Sequence, residues 1–377
     1  MKIAVLSSNF IRLPPTPESV PKGFSGAPEK VMYTIAEKMV EKGHDVFLFA
    51  SGDSKTSAHL ISATDKATSL DLSINDKGAI DYEHLLISKC YYMAKQGYFD
   101  LIHSIFDVRS AFYAQFVSIP TVSTLHSPLS GHKKTILENF KKDQYYVSIS
   151  NAQRKPIPDL NYISTIYHGI ELDNNSFSFG EGKDNYMIFV GRLMPEKGIK
   201  EIITAAKKLQ KTVYLLGTAI ESSDFWNIDI KPSIDNNLIN QYGFLTIDKL
   251  KKYYQNAKLF FFPIQWEEPF GLVMIEAMAC GTPVVAFARG SVPEIIKDGE
   301  TGFIVNSSEG DKRGDWIVKK TGIDGLCEAV ERIYSMPEEQ YRQMRRNSRA
   351  HVEKNFTVER MVDEYEKVYQ QIINKQA

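Results

Sequence analysis

Short runs of β-branched and aromatic residues alternate along this chain with segments whose apolar positions recur every three to four residues. The pattern predicts strands near Lys2 to Ser8, Asp45 to Ala50, Asp100 to Ser104, Pro120 to Leu125 and Tyr146 to Ser150. Helices are expected near Glu29 to Lys42 and Asp81 to Gln96. The alternation restarts after the polar, glycine-containing stretch Ser176 to Asn185, which reads as a linker. Beyond it, strands are expected at Tyr186 to Val190, Val213 to Leu216, Ile239 to Gly243, Leu259 to Pro263 and Pro283 to Phe287. Helices are expected at Gly198 to Leu209, Ile247 to Gln255 and Gly271 to Cys280. From Pro337 onward the chain is charged and helical, with Met361, Tyr365 and Val368 on one face. That last helix is expected to pack back on the first domain.

Alternating βα units imply parallel sheets covered by helices on both faces. The predicted class is therefore α/β, with two Rossmann-like domains facing across a cleft. Residues 1–172, with the helix 359–377, form the first and residues 183–358 the second. A length of 377 residues suits two such cores. With 43% hydrophobic and 24% charged residues, disorder is not indicated. A formal net charge of −1 removes any global electrostatic argument for nucleic acid as a partner. Cys90, Cys280 and Cys327 are widely separated, which suits a reducing compartment better than a disulfide framework or a zinc site. The strand-like start and the absence of a long apolar run point to a cytoplasmic protein without a membrane span.

The most informative segment runs from Glu267 to Val285, reading EEPFGLVMIEAMACGTPVV. Pro269 disfavours helix at Glu268, and Gly271 lets the backbone approach a ligand before a helix opens at Leu272. The free N–H groups of that first turn, backed by the helix dipole, suit a diphosphate. Glu276 lies about one turn further in, where a carboxylate can accept both hydroxyls of a ribose.

This string resembles the signature of the family 4 glycosyltransferases, retaining enzymes of the GT-B architecture. Val190-Gly191-Arg192-Leu193-Met194-Pro195-Glu196-Lys197-Gly198 is similar to the family's strand-to-helix segment. The resemblance implies a donor site of Gly191, Arg192, Lys197, Leu245, Glu268, Phe270, Gly271, Leu272, Val273 and Glu276. Arg192 and Lys197 would neutralise the leaving nucleotide diphosphate, and Glu268 would orient the sugar. Thr124-Leu125-His126-Ser127-Pro128 resembles the strand end whose histidine contacts the transferred sugar, so the catalytic set implied is His126, Arg192, Lys197 and Glu268. Gly26 and Ala27 fall where the family carries two adjacent glycines in a phosphate or acceptor loop; here the second is alanine. Gly290, in the Arg289 to Ile296 run, is expected to approach the donor, with Glu294 in a capping or supporting role.

The run from His44 to Ser54, Trp266, and the loop Arg289 to Glu294 resemble a subgroup of UDP-glucose-dependent glucosyltransferases. The resemblance thus implies hexose transfer with retention from a UDP-linked sugar, with no metal and no cofactor, the nucleotide sugar being a substrate. The acceptor is left open: a glycan, a lipid-linked glycan or a small molecule. A GT-B sugar phosphorylase, a nucleotide-sugar epimerase and a non-catalytic sugar-nucleotide-binding module are the alternatives. A dehydrogenase is disfavoured, because no G-x-G-x-x-G follows a strand. Lys133, Lys134, Lys141 and Lys142, interleaved with Ile136, Leu137 and Phe140, read either as a solvated face or as peripheral contact with the inner membrane surface.

Overall fold

A computed structural model describes residues 1–16, 18–21, 24, 26–172, 179–180, 182 and 184–375. The chain divides into a first unit, Met1–Tyr167 with Val358–Ala377, and a second, His168–Thr357. Residues 168–172 fall with the second unit, where Ile170 pairs with Thr357 in an isolated parallel bridge. Of the expected linker, residues 176–178, 181 and 183 lie outside the described residues.

In the first unit, among the described residues, β1 (Lys2–Leu6), β2 (Asp45–Phe49), β3 (His59–Ile61), β4 (Leu101–Ser104), β5 (Thr121–Leu125), β6 (Tyr145–Ser148) and β7 (Tyr162–Thr165) form one parallel sheet. Its spatial order is β3-β2-β1-β4-β5-β6-β7. The central strands are buried on both faces; β1 reads as a near-continuous apolar run, whereas β4 and β5 bury polar side chains such as His103, Ser123 and Thr124. The edge strands β3 and β7 carry no such signal; their positions are half-buried or exposed, and the sequence pattern misses both. Helix α1 (Ala27–Glu41) follows β1, and α2 (Asp76–Lys95) starts five residues before its predicted onset. The Asn75 side chain caps it by accepting from Gly78 N at 2.9 Å, so a glycine that reads as a breaker lies inside the first turn. Two short helices, α3 (Arg109–Ala114) and α4 (His132–Glu138), complete the βα connections.

The second unit repeats the arrangement. Among the described residues, β8 (Met187–Val190), β9 (Val213–Leu216), β10 (Ile239–Tyr242), β11 (Leu259–Phe262), β12 (Val284–Phe287) and β13 (Gly302–Val305) form a parallel sheet of order β10-β9-β8-β11-β12-β13. Helices α5 (Ile199–Leu209), α6 (Ile247–Asn256), α7 (Leu272–Ala279), α8 (Val292–Ile295), α9 (Gly322–Tyr334) and α10 (Glu338–Asn355) connect or cover the strands. The strand order reverses between β8 and β11, and the carboxyl ends of the strands flanking such a switch point are where open α/β sheets bind ligands.

Arg345 of α10 is 2% exposed and donates to the carbonyls of Gly180, Gln255 and Cys280 at 2.7, 3.2 and 3.3 Å. It thereby satisfies carbonyls at the C-terminal ends of α6 and α7, where a cation also complements the helix dipole. The last helix, α11 (Val358–Asn374), belongs to the first unit and buries Met361, Tyr365 and Val368 together, as the sequence predicts. Tyr369 Oη lies 2.6 Å from His103 Nδ1, His103 Nε2 lies 2.7 Å from Thr124 Oγ1, and Thr124 Oγ1 lies 2.9 Å from Tyr365 Oη. This buried polar network gives α11 a specific seat on β4 and β5.

Candidate active site

In the second unit, the chain leaves β8 at Val190, passes Gly191 and Arg192, and makes a tight turn at Pro195–Lys197 before α5. Gln265 N donates to Glu196 O at 2.8 Å, so the segment after β11 is tied to that turn. The tie brings together residues 71 apart in sequence: Lys197 Nζ lies 2.9 Å from Glu268 Oε2, with the two side chains only 12% and 11% exposed. Trp266 completes the cluster. Its Nε1 donates to the same Glu268 oxygen at 2.9 Å, and its ring centroid lies 4.4 Å from Lys197 Nζ. The ammonium thus sits between a carboxylate and an aromatic face, an arrangement that holds a desolvated cation in one place.

Gly271 adopts φ +82°, a left-handed conformation that favours glycine, and α7 opens directly behind it. Met274 N donates back to Gly271 O at 3.0 Å, leaving the N–H groups of Leu272 and Val273 at the helix start. One turn in, Glu276 Oε2 accepts from the hydroxyl of buried Tyr254 at 3.2 Å. That tyrosine comes from α6 and carries no motif signal beyond its helical spacing.

Several predicted donor residues occupy other surroundings. Phe270 is 2% exposed, its ring packed edge-on against His168 at 5.1 Å and Phe356 at 6.0 Å, so its side chain serves the core and its carbonyl accepts from Ser291 Oγ at 2.7 Å. Arg192 is 3.8 Å from Glu196, four residues further along the chain. Leu245 is half-buried in the loop after the edge strand β10. Gly290 does make a close approach, but to protein: a Cβ there would lie 2.2 Å from Glu268 O.

Glu267, which the sequence reading passes over, is held as firmly as its neighbour. It accepts from Gly290 N at 2.8 Å and from Arg313 at 2.7 Å, with Arg289 at 3.5 Å. Burial pushes its carboxyl upward, but these donors outweigh burial and hold it below the ordinary carboxylate value.

In the first unit His126 follows β5, and its backbone N–H donates to Asp107 Oδ1 at 2.8 Å. Lys133 pairs with the other Asp107 oxygen at 2.6 Å. Loss of water lowers the imidazole pKa to about 4; the Asp107 carboxylate opposes this and Lys133 adds to it. The ring is therefore neutral at pH 7. Gly26, at φ +61°, precedes α1, and Ala27 is its first residue; Gly23 lies outside the described residues. The lysine-rich run is largely charge-compensated: Lys133 pairs with Asp107, Lys141 with Asp159, and Lys134 lies 3.9 Å from Glu138. Leu137 is fully buried, and Phe140 packs edge-on to Phe112. Glu83 and Arg109, unremarked in the sequence, form an ion pair that also receives Ser8 Oγ at 3.3 Å. Among the described residues no helix is long and apolar enough to cross a membrane, and no group of three or more His, Cys, Asp or Glu is arranged to hold a metal ion.

Two doubly wound sheets, the second with an acid–base pair at its switch point, define an α/β protein of the GT-B fold. Residues 173–351 match the family model described as glycosyl transferases group 1. An uncharacterized glycosyltransferase of Methanocaldococcus jannaschii is 27% identical over 226 residues, covering 55% of this chain. The chain spans 62% of that relative's length, less than two thirds. A D-inositol 3-phosphate glycosyltransferase of Mycobacteroides abscessus is 24% identical over 348 residues, covering 79% of this chain and 78% of the relative. Among solved structures, sucrose-phosphate synthase from Thermosynechococcus elongatus superposes with a TM-score of 0.77 at 21% identity over 100% of both chains. Anabaena HepE in complex with UDP and glucose superposes with a TM-score of 0.70 at 19% identity, covering 98% of this chain and 100% of that one.

Proposed function

We propose that the protein is a retaining glycosyltransferase of family 4 that transfers a hexose, glucose in the first instance, from a UDP-linked donor to a hydroxyl acceptor. The observation that carries this reading is the Lys197–Glu268 pair at the carboxyl ends of β8 and β11, beside the opening turn of α7. A diphosphate can compete with Glu268 for the Lys197 ammonium and bind the N–H groups at Leu272 and Val273. The carboxylate so released is free to accept hydroxyls of the sugar. Glu276, held by Tyr254, suits the ribose. The UDP and glucose bound by HepE, a protein of the same fold, support the choice of donor.

In the step proposed, an acceptor hydroxyl oxygen bonds to the anomeric carbon on the face from which UDP leaves. The sugar–phosphate bond breaks as the hydroxyl proton passes to the departing phosphate. Arg192, Lys197 and the start of α7 stabilise the negative charge that develops there. His126 keeps the role implied by the resemblance, contact with the transferred sugar, and does so as a neutral imidazole. The reading requires no metal or other cofactor, and it assigns the reaction to the cytoplasm.

A panel of nucleoside diphosphates and nucleotide sugars, read by thermal shift and by slow hydrolysis, tests the assignment without knowledge of the acceptor. UDP and UDP-glucose should raise the melting temperature, and UDP-glucose should release UDP. No stabilisation by any nucleoside diphosphate would overturn it.

A further inference from the structure

The connection from Asn306 to Thr321 joins β13 to α9 with no helix or strand of its own. It exceeds the ~12–15 residues beyond which an irregular loop in a compact domain is usually functional. It is nonetheless tightly organised around Asn306, which is 6% exposed. The Asn306 Oδ1 accepts from Arg313 N at 2.8 Å and from Trp316 Nε1 at 3.2 Å, while its Nδ2 donates to Gly314 O at 2.9 Å. These bonds present the Arg313 guanidinium at a defined place. Arg313 Nε donates to Asp311 Oδ1 at 2.8 Å and its Nη1 to Glu267 Oε2 at 2.7 Å. Arg289 bridges the same two acids, 3.2 Å from Asp311 and 3.5 Å from Glu267.

What this ring of charges grips is the backbone that carries Glu268. Gly290 N donates to the Glu267 oxygen that Arg313 holds, at 2.8 Å. Next door, Ser291 N donates to Glu268 O at 2.9 Å and Ser291 Oγ to Phe270 O at 2.7 Å. A Cβ on Gly290 would lie 2.4 Å from Glu268 N, so no slack exists between the two loops. Glu267 engages Arg313 while Glu268 engages Lys197, and adjacent carboxylates thus anchor and act respectively. Ion pairs this exposed typically contribute only ~0.2–1 kcal/mol to stability, so stability alone is a poor reason for the arrangement. Geometry is a better one, because a misplacement of about 1 Å at a reacting centre can cost roughly a hundredfold in rate.

We propose that Arg313 is a positioning residue which, through Glu267 and the Arg289–Ser291 loop, sets the location of Glu268. The consequence for catalysis rests on the donor-site reading above; the mechanical linkage does not.

The test compares Arg313→Ala, Arg313→Lys and Glu267→Gln with the wild-type chain by two independent readouts. Amide hydrogen exchange over residues 266–271 should accelerate about tenfold in Arg313→Ala, with β8 and β11 unchanged. With UDP-glucose as probe, the kcat for hydrolysis should fall about tenfold while the Kd for UDP stays within about twofold, and Arg313→Lys should recover part of the loss. Combining Arg313→Ala with Glu267→Gln should add nothing beyond the larger single effect. Unchanged exchange at 266–271, or kcat, UDP affinity and melting temperature falling in parallel without rescue by lysine, overturns the proposal. Should Arg313→Ala fail to fold, Glu267→Gln decides by the same criteria. A wild-type chain that neither binds UDP nor hydrolyses UDP-glucose would remove the donor reading, and hydrogen exchange would still decide the linkage.

Discussion

The two units share a doubly wound strand order but assemble their polar clusters differently. In the second, Lys197 and Glu268 follow the two strands that flank the switch point, and Trp266 and Glu276 lie within ten residues of Glu268. In the first, Asp107 follows β4, His126 follows β5 and Lys133 comes from α4, each from a separate segment with no common signature. Electrostatics differ as well. The second unit pairs a cation with a carboxylate, both side chains largely buried. The first surrounds a neutral histidine with an ionised acid and its lysine partner.

The largest expected effect breaks the second unit's cluster. Lys197→Ala should lower turnover of UDP-glucose by about a hundredfold, the usual scale for removing one group that stabilises leaving-group charge. Its effect on melting should be modest by comparison, and wild-type kcat in this variant would end the donor assignment.

Next comes the first unit, probed through acid. His103 and His126 are lowered to about 3 and about 4 by burial, whereas in the unfolded chain they protonate near 6.5. The unfolded state therefore binds more protons between these values. Their stabilisation is complete above pH 6.5 and is lost as pH falls toward 4, by about 2 kcal/mol per group between pH 7 and 5. Urea midpoints across that range should drop accordingly. Histidine NMR titrations showing either ring with a midpoint near 6.5 would contradict the buried environments.

A smaller effect sharpens the nucleotide side: Tyr254→Phe removes the hydroxyl that holds Glu276 and should weaken UDP binding about fivefold by calorimetry, the scale of one ordinary hydrogen bond. Smallest of all, Lys134→Ala disturbs only a half-exposed contact at 3.9 Å and should change unfolding free energy by less than ~0.5 kcal/mol. Sedimentation with anionic vesicles should find no loss of binding in that variant, and a salt-sensitive loss would revive the lysine run as a membrane surface.

Legibility in the sequence followed burial and locality. β1 and β11 announce themselves because strands covered on both faces are largely apolar, while β4 and β5 mix apolar residues with buried polar ones such as His103 and Thr124. The edge strands β3 and β7 escape notice because half-exposed positions keep their polar residues. The Glu267–Val285 string was readable through its resemblance to a glycosyltransferase signature, since two glutamates eight residues apart carry no such signal by spacing alone. Phe270 shows the limit of the same string: its place in the motif suggests a ligand contact, while packing against His168 and Phe356 assigns its ring to the core.

By itself, then, the sequence determined the alternation of strands and helices, the helix start at Leu272, and the chemical identity of Lys197, Glu268 and Glu276. Tertiary structure alone decided that Trp266 would share Glu268 with Lys197, that Tyr254 would hold Glu276 from 22 residues away, and that Arg313 would reach Glu267 across 46. The reason is physical. A helix or a turn is specified by dihedral preferences and spacing among near neighbours, whereas a hydrogen bond between distant segments exists only after folding has brought its donor and acceptor within reach.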